Sequence, residues 1–547
     1  MARKETAVKA GLALVSFAHH GLNRFLYALD RVGRHRRACV LGLGALTVIV
    51  RLLLLPWIPV PEPTVYDEFS YLLGADTLAS GRLTNPPHPL WQFFESVHVL
   101  SRPTHASKYQ PGQALFLALG QVLFGHPFYG VVLSVGLLVA GICWMLQAWV
   151  PPGWALAGGL YCLLTFFSGH YWMESYWGGA VAAFASALLL GAYRRITRHG
   201  RLGFSWLLAG AVFLLFLTRP YEGGLLALFV AGALAHWAFR RSHLPLRRLA
   251  KRVLFPAALV LAAGAAFQGY YNWRVTGSPF DLPYLLYQRQ YNFAPALWIL
   301  PRTDAKVSDS AEENAEHSRP EPDTYRSIRE MPWTQKIQHL PGRLLLQVRD
   351  LFGQLADLVL VIALLFWSDR AVRWLVFAAA AVGAGLLLET WMWLHYMAPL
   401  VVVLLALLPL VARRLRQLRW RGRVVGPLLL CVLPVYMAGP PAHRLTRYVL
   451  GVVQERLVNP PAAKLRTLLS NRLSRQGGKH LVIVRCLRQP ETVHQWVYNR
   501  ASMEAAPVLW ARDRGDPENR SLVDYSRNRK IWLLEPDVDP SSLRPYP

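Results

Sequence analysis

Apolar runs of roughly 18 residues or more recur along the chain, and no other feature constrains its fold as strongly. A run of that length without interior charge is long enough to cross the hydrocarbon core of a bilayer as a helix. Only 17% of the 547 residues are charged, whereas soluble proteins carry about 25%. The sequence therefore predicts an all-α polytopic membrane protein.

Eleven spans are predicted within a transmembrane domain of residues 38–440. The spans lie at about 38–60, 127–149, 154–169, 177–194, 203–218, 224–239, 253–271, 355–367, 373–388, 396–411 and 424–439. Two long polar segments, about 61–125 and 272–350, interrupt them, and the first contains a short helix-like apolar piece at 112–124. Residues 1–37 are basic and polar and are not expected to be a cleavable signal peptide.

The last hundred residues, 441–547, are polar and predict a small α/β domain. Strand-like pieces at Leu481–Val484, Val508–Ala511 and Ile531–Leu534 alternate there with helix-like pieces at Val493–Arg500 and Ser521–Arg529. The five cysteines form no CxxC pair, so neither a zinc site nor a disulfide framework is indicated. No cofactor is predicted, and a requirement for a divalent cation is left open.

The net charge of +27 comes from basic stretches that lie in alternate loops. With eleven spans, the stretches at 31–37, 194–201, 240–252, 369–373 and 412–423 all fall on one side, which the positive-inside rule assigns to the cytoplasm. The protein is then expected in the cytoplasmic (inner) membrane, with its N-terminus on the cytoplasmic side and its C-terminal domain on the outer side. Contact with membrane lipids explains this charge better than nucleic acid does.

Acidic residues collect on the opposite, outer side. Ten occur in the first 300 residues, and all but Glu5 and Asp30 fall there. Ionisable groups close to hydrocarbon are costly unless they face a cavity or each other, which makes them functional candidates. The candidates on the outer side are Asp67, Glu68, Lys108, Glu174, Arg219, Glu222, Arg274 and His395.

This mixture of groups suits a sugar transferase. A carboxylate must deprotonate the acceptor, and cations must neutralise a leaving phosphate. The adjacent Asp67 and Glu68 are the predicted base and orienting acid, although a solvated loop with a helix-capping acid would show the same pair. Other interpretations also stand: Arg219 and Arg274 as interfacial anchors, Glu222 as an ion-pair partner of Arg219, and His395 as a packed interfacial histidine.

Two short motifs carry a family resemblance. They are Tyr66-Asp67-Glu68 after the first span and Lys108-Tyr109-Gln110-Pro111-Gly112 later in the same polar segment. On these motifs and its topology, the chain resembles the polyprenyl-phosphate-sugar-dependent glycosyltransferases of the GT-C superfamily. It is most similar to the branch of protein O-mannosyltransferases and lipid A aminoarabinose transferases.

The resemblance implies a GT-C-like bundle and a role for each motif. Asp67 would be the catalytic base with Glu68 beside it, and Lys108, followed by Tyr109, would contact the donor phosphate. The family usually has proline where this chain has Gln110. Glu174 is the candidate for a second-loop acid, but its alignment is less secure.

The implied activity is transfer of a sugar from a polyprenyl-phosphate donor to a lipid, glycan or protein acceptor of the cell envelope. A lipid-linked-glycan polymerase or ligase is one alternative, and a transporter or flippase is another. A transporter should carry helix-breaking residues in mid-span and polar groups at the midplane. Here the ionisable groups lie at span ends, Arg51 excepted, which favours an enzyme.

Overall fold

The computed structural model describes a mostly helical protein with a small sheet near the C-terminus. The described residues are 21–167, 169–242, 244–291, 294–301, 320–353, 355–420, 423–424, 426–457, 462–486 and 496–547. Residues 1–20 of the predicted cytoplasmic segment and most of the middle of the second polar segment lie outside them.

The helices follow one another through residue 457 with few strands between them. The first eight are α1 Arg36–Leu53, α2 Tyr66–Ala79, α3 Pro111–Phe124, α4 Phe128–Trp149, α5 Pro152–Phe166, α6 Ala180–His199, α7 Ser205–Thr218 and α8 Pro220–Arg240. Next come α9 Leu246–Leu249, α10 Phe255–Thr276, α11 Pro283–Gln290, α12 Pro320–Glu330, α13 Trp333–Phe352, α14 Leu355–Leu365, α15 Arg370–Leu386, α16 Ala398–Leu415 and α17 Gly426–Leu457. A π-helical turn, Ala250–Leu254, joins α9 to α10.

The prediction of eleven spans is corrected by helix length and composition. In the described part of the chain, four helices are long and apolar enough to cross a membrane: α4, α8, the combined helix Leu246–Thr276 and α16. Other predicted spans are shorter, such as α5 with 15 residues and α14 with 11. The helix α1 has 18 residues but carries three arginines.

The outer surface of the bundle is apolar, as expected for helices that face lipid. Leu41, Ile49 and Leu53 of α1 are exposed, as are Leu228 and Phe239 of α8. Inside the bundle, α4 packs against α1, α5 and α6. Gly44 of α1 and Gly136 of α4 let two helices approach closely, because a Cβ on either would lie 3.1 Å from the carbonyl oxygen of the other.

Two short hairpins precede the C-terminal part: β1 Val99–Leu100 pairs with β2 Ala106–Ser107, and β3 Arg419–Trp420 pairs with β4 Arg423–Val424. The C-terminal part contains β5 His480–Val484, β6 Val508–Arg512, β7 Lys530–Leu534 and β8 Leu543–Pro545, with helices α18 Ala462–Arg475 and α19 Asp516–Tyr525 beside them. These four strands form one sheet in the order β6-β5-β7-β8. β5 is parallel to β6 and β7, and β8 is antiparallel to β7. The predicted α/β character and its three strands are confirmed, and the helix-like stretch predicted at 493–500 lies partly outside the described residues.

The sheet packs on the first polar segment. Phe93 and Phe94 join a hydrophobic cluster with Leu481 and Ile483 of β5. The backbone N–H of Ala501 donates to Oδ2 of Asp76 at 2.9 Å. The sheet is therefore held against the residues that follow α2, while the predicted domain boundary at 440/441 falls inside α17.

Candidate active site

A cavity of about 320 Å³ lies at the end of the bundle where the first polar segment meets the helices. It brings together six of the nine predicted site residues: Asp67, Lys108, Tyr109, Arg219, Glu222 and His395. The other three, Glu68, Glu174 and Arg274, do not line it. Its remaining wall is largely aromatic and apolar, and includes Tyr71, Trp177, Leu282, Tyr284, Leu285, Leu297, Trp391, Trp393 and Tyr396.

Asp67 lies in the first turn of α2, where the helix dipole favours a carboxylate. Its side chain is 28% exposed and faces the cavity. The Tyr109 hydroxyl donates a hydrogen bond to Oδ1 of Asp67, and Nε2 of His98 lies 3.8 Å from Oδ2. Burial and the nearby Asp67 charge raise the pKa of Tyr109, so this phenol stays protonated and orients the carboxylate.

Lys108 is placed by a short hairpin of β1 Val99–Leu100 and β2 Ala106–Ser107. His98 precedes β1 and Lys108 follows β2, so antiparallel pairing sets them side by side. The Lys108 N–H donates to the carbonyl oxygen of His98 at 3.2 Å, and Nζ of Lys108 lies 2.7 Å from Nδ1 of His98. The ammonium also lies 4.8 Å from the ring centre of Tyr287.

His98 was not among the predicted site residues. Its backbone has φ of 65°, a left-handed conformation that costs energy for a residue with a side chain. Three hydrogen bonds hold the conformation. The His98 N–H donates to the Tyr287 hydroxyl, and the His98 carbonyl oxygen accepts from the Ser70 hydroxyl and from the Lys108 N–H. The sequence gives little indication that His98 belongs to the site, because its ring is placed beside Lys108 only by the hairpin.

Arg219 lies at the break between α7 and α8. Proline at 220 disfavours helical geometry in the residue before it, so α7 ends there and the arginine side chain turns into the cavity. Nη1 of Arg219 lies 3.8 Å from Oε1 of Glu222, and its guanidinium lies 4.5 Å from the ring centre of Tyr396. Arg219 therefore lines the cavity while its guanidinium is paired with Glu222.

A further carboxyl group in the cavity, Glu389, was missed by the sequence analysis. It lies after α15 and is 4% exposed, and its Oε2 has no hydrogen-bond partner within the described residues. Burial and the nearby charge of Glu222 raise its pKa well above the usual range. An acid between Leu388 and Thr390, in an otherwise apolar stretch, was the signal that could have found it.

His395 lies in an aromatic wall. Its Nδ1 is 3.0 Å from the Tyr171 hydroxyl, and its ring packs edge-on against Trp177 and Tyr396. Burial and the charge of Arg219 lower its pKa well below the usual range. It therefore presents a neutral imidazole beside flat aromatic surfaces of the kind on which sugars stack.

The three predicted residues outside the cavity have other partners. Glu68 is buried; its Oε2 accepts from the N–H groups of Thr64 and Val65, and its Oε1 accepts from that of Tyr176. Glu174 forms a buried ion pair with Arg51 of α1 at 2.7 Å. Arg274 is exposed at the end of α10 and contacts Tyr270.

Among the described residues, no three or more His, Cys, Asp or Glu side chains are arranged to hold a metal ion. Lys108 and Arg219 are the cations that the cavity itself provides.

Comparisons with known proteins give structural neighbours only. No protein-family model and no curated protein sequence matches the chain. The oligosaccharyltransferase of Archaeoglobus fulgidus matches 91% of this chain and 70% of its own, with 12% identity and a TM-score of 0.48. ArnT from Cupriavidus metallidurans, in the apo state, matches 91% of this chain and 93% of its own, with 14% identity and a TM-score of 0.47.

ArnT has also been solved bound to undecaprenyl phosphate, with 13% identity and a TM-score of 0.45.

Proposed function

We propose that the chain is a membrane glycosyltransferase that moves a sugar from a polyprenyl-phosphate donor to an acceptor. The observation that carries the proposal is the cavity itself, in which the half-buried Asp67 shares one space with Lys108 and Arg219. A base for the acceptor and cations for a leaving phosphate are the groups that this reaction needs. The polyprenyl-phosphate donor comes from the motif resemblance.

In the proposed reaction, Asp67 accepts the proton of an acceptor hydroxyl or amine. The acceptor atom then forms a bond to the anomeric carbon of the sugar. The carbon–oxygen bond to the phosphate breaks, and polyprenyl phosphate leaves with the electron pair. Lys108 and Arg219 neutralise its growing charge, and the neutral Glu389 carboxyl and the Glu222 side chain hydrogen-bond the sugar hydroxyls.

The proposed setting is the cytoplasmic membrane. Residues 38–440 form the membrane domain with the N-terminus inside, and residues 441–547 form a domain on the outer side. The acceptor is a lipid, a glycan or a protein of the cell envelope. Packing of the sheet on the segment after α2 supports a C-terminal domain on the same side as the cavity.

The test is incubation of purified protein with a panel of polyprenyl-phosphate sugars, with release of polyprenyl phosphate as the readout. Replacing Asp67 by Asn should lower kcat by about 10²–10⁴-fold, because a general base contributes that much, while donor affinity is kept. Asp281→Asn is the matched control, since Asp281 is ion-paired with Arg289 outside the cavity and its loss should leave turnover unchanged.

The same assay separates the alternatives. A polymerase or ligase would release its lipid carrier while building or joining oligosaccharides, which is visible in the product mass. A transporter or flippase would move the lipid-linked sugar across a vesicle membrane without releasing polyprenyl phosphate. Wild-type turnover in the Asp67→Asn variant would show that Asp67 is not the base.

A further inference from the structure

A second cavity, of about 460 Å³, lies at the opposite end of the bundle from the candidate active site. It is formed by the start of α1, the ends of α4 and α6, and the turn Leu202–Phe204. Phe204 lines this cavity and Thr218 lines the candidate active site, and the 14-residue helix α7 that connects them is about 21 Å long. The two cavities are therefore separate sites.

The ionisable side chains that line this cavity are all basic. Four arginines and one histidine line it, namely Arg36, Arg37, Arg195, Arg201 and His199, and none of the described lining residues is acidic. Arg195 lies within electrostatic range of Arg36 and Arg201. Like charges brought together without a carboxylate repel one another, so the arrangement favours an anion between them.

Arg195 is the fixed point of the cavity. It is 7% exposed, and its Nη1 and Nη2 donate to the carbonyl oxygens of Gly191 at 3.0 Å and Trp144 at 2.8 Å. Its guanidinium stacks on Trp144 at 3.8 Å from the ring centre. The positive-inside rule is satisfied by arginines in exposed loops. Orientation in the membrane therefore does not explain why Arg195 is buried.

The shape of the opening indicates the source of the anion. Leu41 lines the cavity and is 72% exposed on α1. Leu46 and Ile49 continue this exposed apolar face along the same helix. A headgroup in the cavity would therefore leave its acyl chains on an apolar surface, and Arg is the side chain best suited to grip phosphate oxygens.

We propose that this cavity binds the phosphate headgroup of an anionic phospholipid, with the acyl chains lying along the exposed face of α1. The headgroup would connect α1 with the turn after α6. This site is independent of the proposed transferase activity.

The test uses the purified full-length chain, stripped of lipid in a neutral detergent, with phosphatidylglycerol and phosphatidylcholine as probes. Bound lipid is counted by native mass spectrometry, and the shift in thermal unfolding is followed in parallel. Saturable binding of phosphatidylglycerol is expected, with no matching shift from phosphatidylcholine.

The diagnostic variant is the double substitution Arg36→Gln and Arg201→Gln, which spares the backbone bonds of Arg195. Affinity for phosphatidylglycerol should fall about a hundredfold or more, because two charge-assisted bonds to phosphate are lost and each is worth about tenfold or more. The control is Arg240→Gln with Arg247→Gln, which removes the same charge from exposed residues outside the cavity and should keep the affinity.

Three outcomes would overturn the lipid assignment. Equal loss in both double variants would mean that net charge alone attracts the lipid. Equal binding of phosphatidylcholine would remove the anionic requirement. A third arm adds inorganic phosphate alone: if it saturates the site and displaces phosphatidylglycerol, the ligand is a soluble phosphate.

Discussion

Asp67 and Glu68 are adjacent in sequence but lie in different environments. Neighbouring residues on a helix do not face the same way, so only Asp67 reaches the cavity. Glu68 instead accepts hydrogen bonds from backbone N–H groups at the start of α2 and from Tyr176. The helix-capping interpretation thus describes the contacts of Glu68, while the catalytic prediction rests on Asp67.

Burial raises the pKa of Glu68 to about 7, and the backbone hydrogen bonds oppose this shift only in part. Because the pKa of Glu68 is higher in the folded than in the unfolded protein, its contribution to stability is fully present below pH 4.5, the pKa of the unfolded chain. This contribution is lost as the pH rises toward 7. From 4.5 to about 7, the loss is about 3 kcal/mol. Glu68→Gln should therefore flatten the pH dependence of thermal unfolding over this window, whereas the exposed control Glu518→Gln should not.

Lys108 and Arg219 carry the proposed contacts to phosphate. Lys108→Ala and Arg219→Ala should each lower kcat/KM by about tenfold or more, since a charge-assisted bond is worth about 1.5–3 kcal/mol. Arg219→Lys should rescue only partly, because a lysine cannot make two parallel bonds. Arg274→Ala is the control from outside the cavity. Unchanged donor affinity and turnover in both alanine variants would place the phosphate elsewhere.

At the scale of elements, one buried ion pair joins α1 to the connection between α5 and α6. Arg51 and Glu174 are 0% and 1% exposed in their side chains, and Arg51 also donates to the carbonyl oxygen of Ile58 at 3.0 Å. Arg51, an exception to the clustering of charge at span ends, thus has its charge compensated by a distant segment.

Removing one partner of this ion pair should lower the free energy of unfolding more than removing both partners. Glu174→Gln leaves a buried guanidinium without its counter-charge, which costs about 3–5 kcal/mol and should lower the thermal unfolding midpoint. The double variant Arg51→Leu with Glu174→Leu should recover most of that loss. If Glu174→Gln unfolds like the wild type but loses donor affinity, the prediction that Glu174 binds substrate gains support instead.

At the scale of the whole molecule, the two cavities define the ends of the bundle. Asp67 and the C-terminal sheet lie at one end, and the basic cavity lies at the other. This difference between the two ends follows from contacts and not from a count of spans. Assignment of the basic end to the cytoplasm stays a proposal from the positive-inside rule.

Cysteine labelling of intact cells tests this orientation. In a background with Cys486→Ser, a cysteine at Glu518 should react with an impermeant reagent from outside, and one at Arg247 should not. Both positions are exposed on the protein, so the membrane alone would decide the difference. Labelling at Arg247 would reverse the orientation and place the candidate site inside.

The sequence by itself determined the features that depend on short-range pattern. Apolar runs marked most of the helices, and a 14-residue helix formed where a short apolar piece was predicted at 112–124. Three strands of the C-terminal sheet also lie at their predicted hydrophobic stretches. The resemblance of two short motifs pointed to Asp67, Lys108 and Tyr109, and the position of Arg219 beside a span made it a candidate; their roles stay predictions.

Only the tertiary structure decided which of these residues meet. Glu174 pairs with Arg51 across 123 positions of sequence, His98 depends on a hairpin and a left-handed backbone, and Glu389 reaches the cavity from the far end of α15. The number of clear spans was also settled by observed helix lengths. Such contacts arise from long-range packing and desolvation, which local periodicity does not encode.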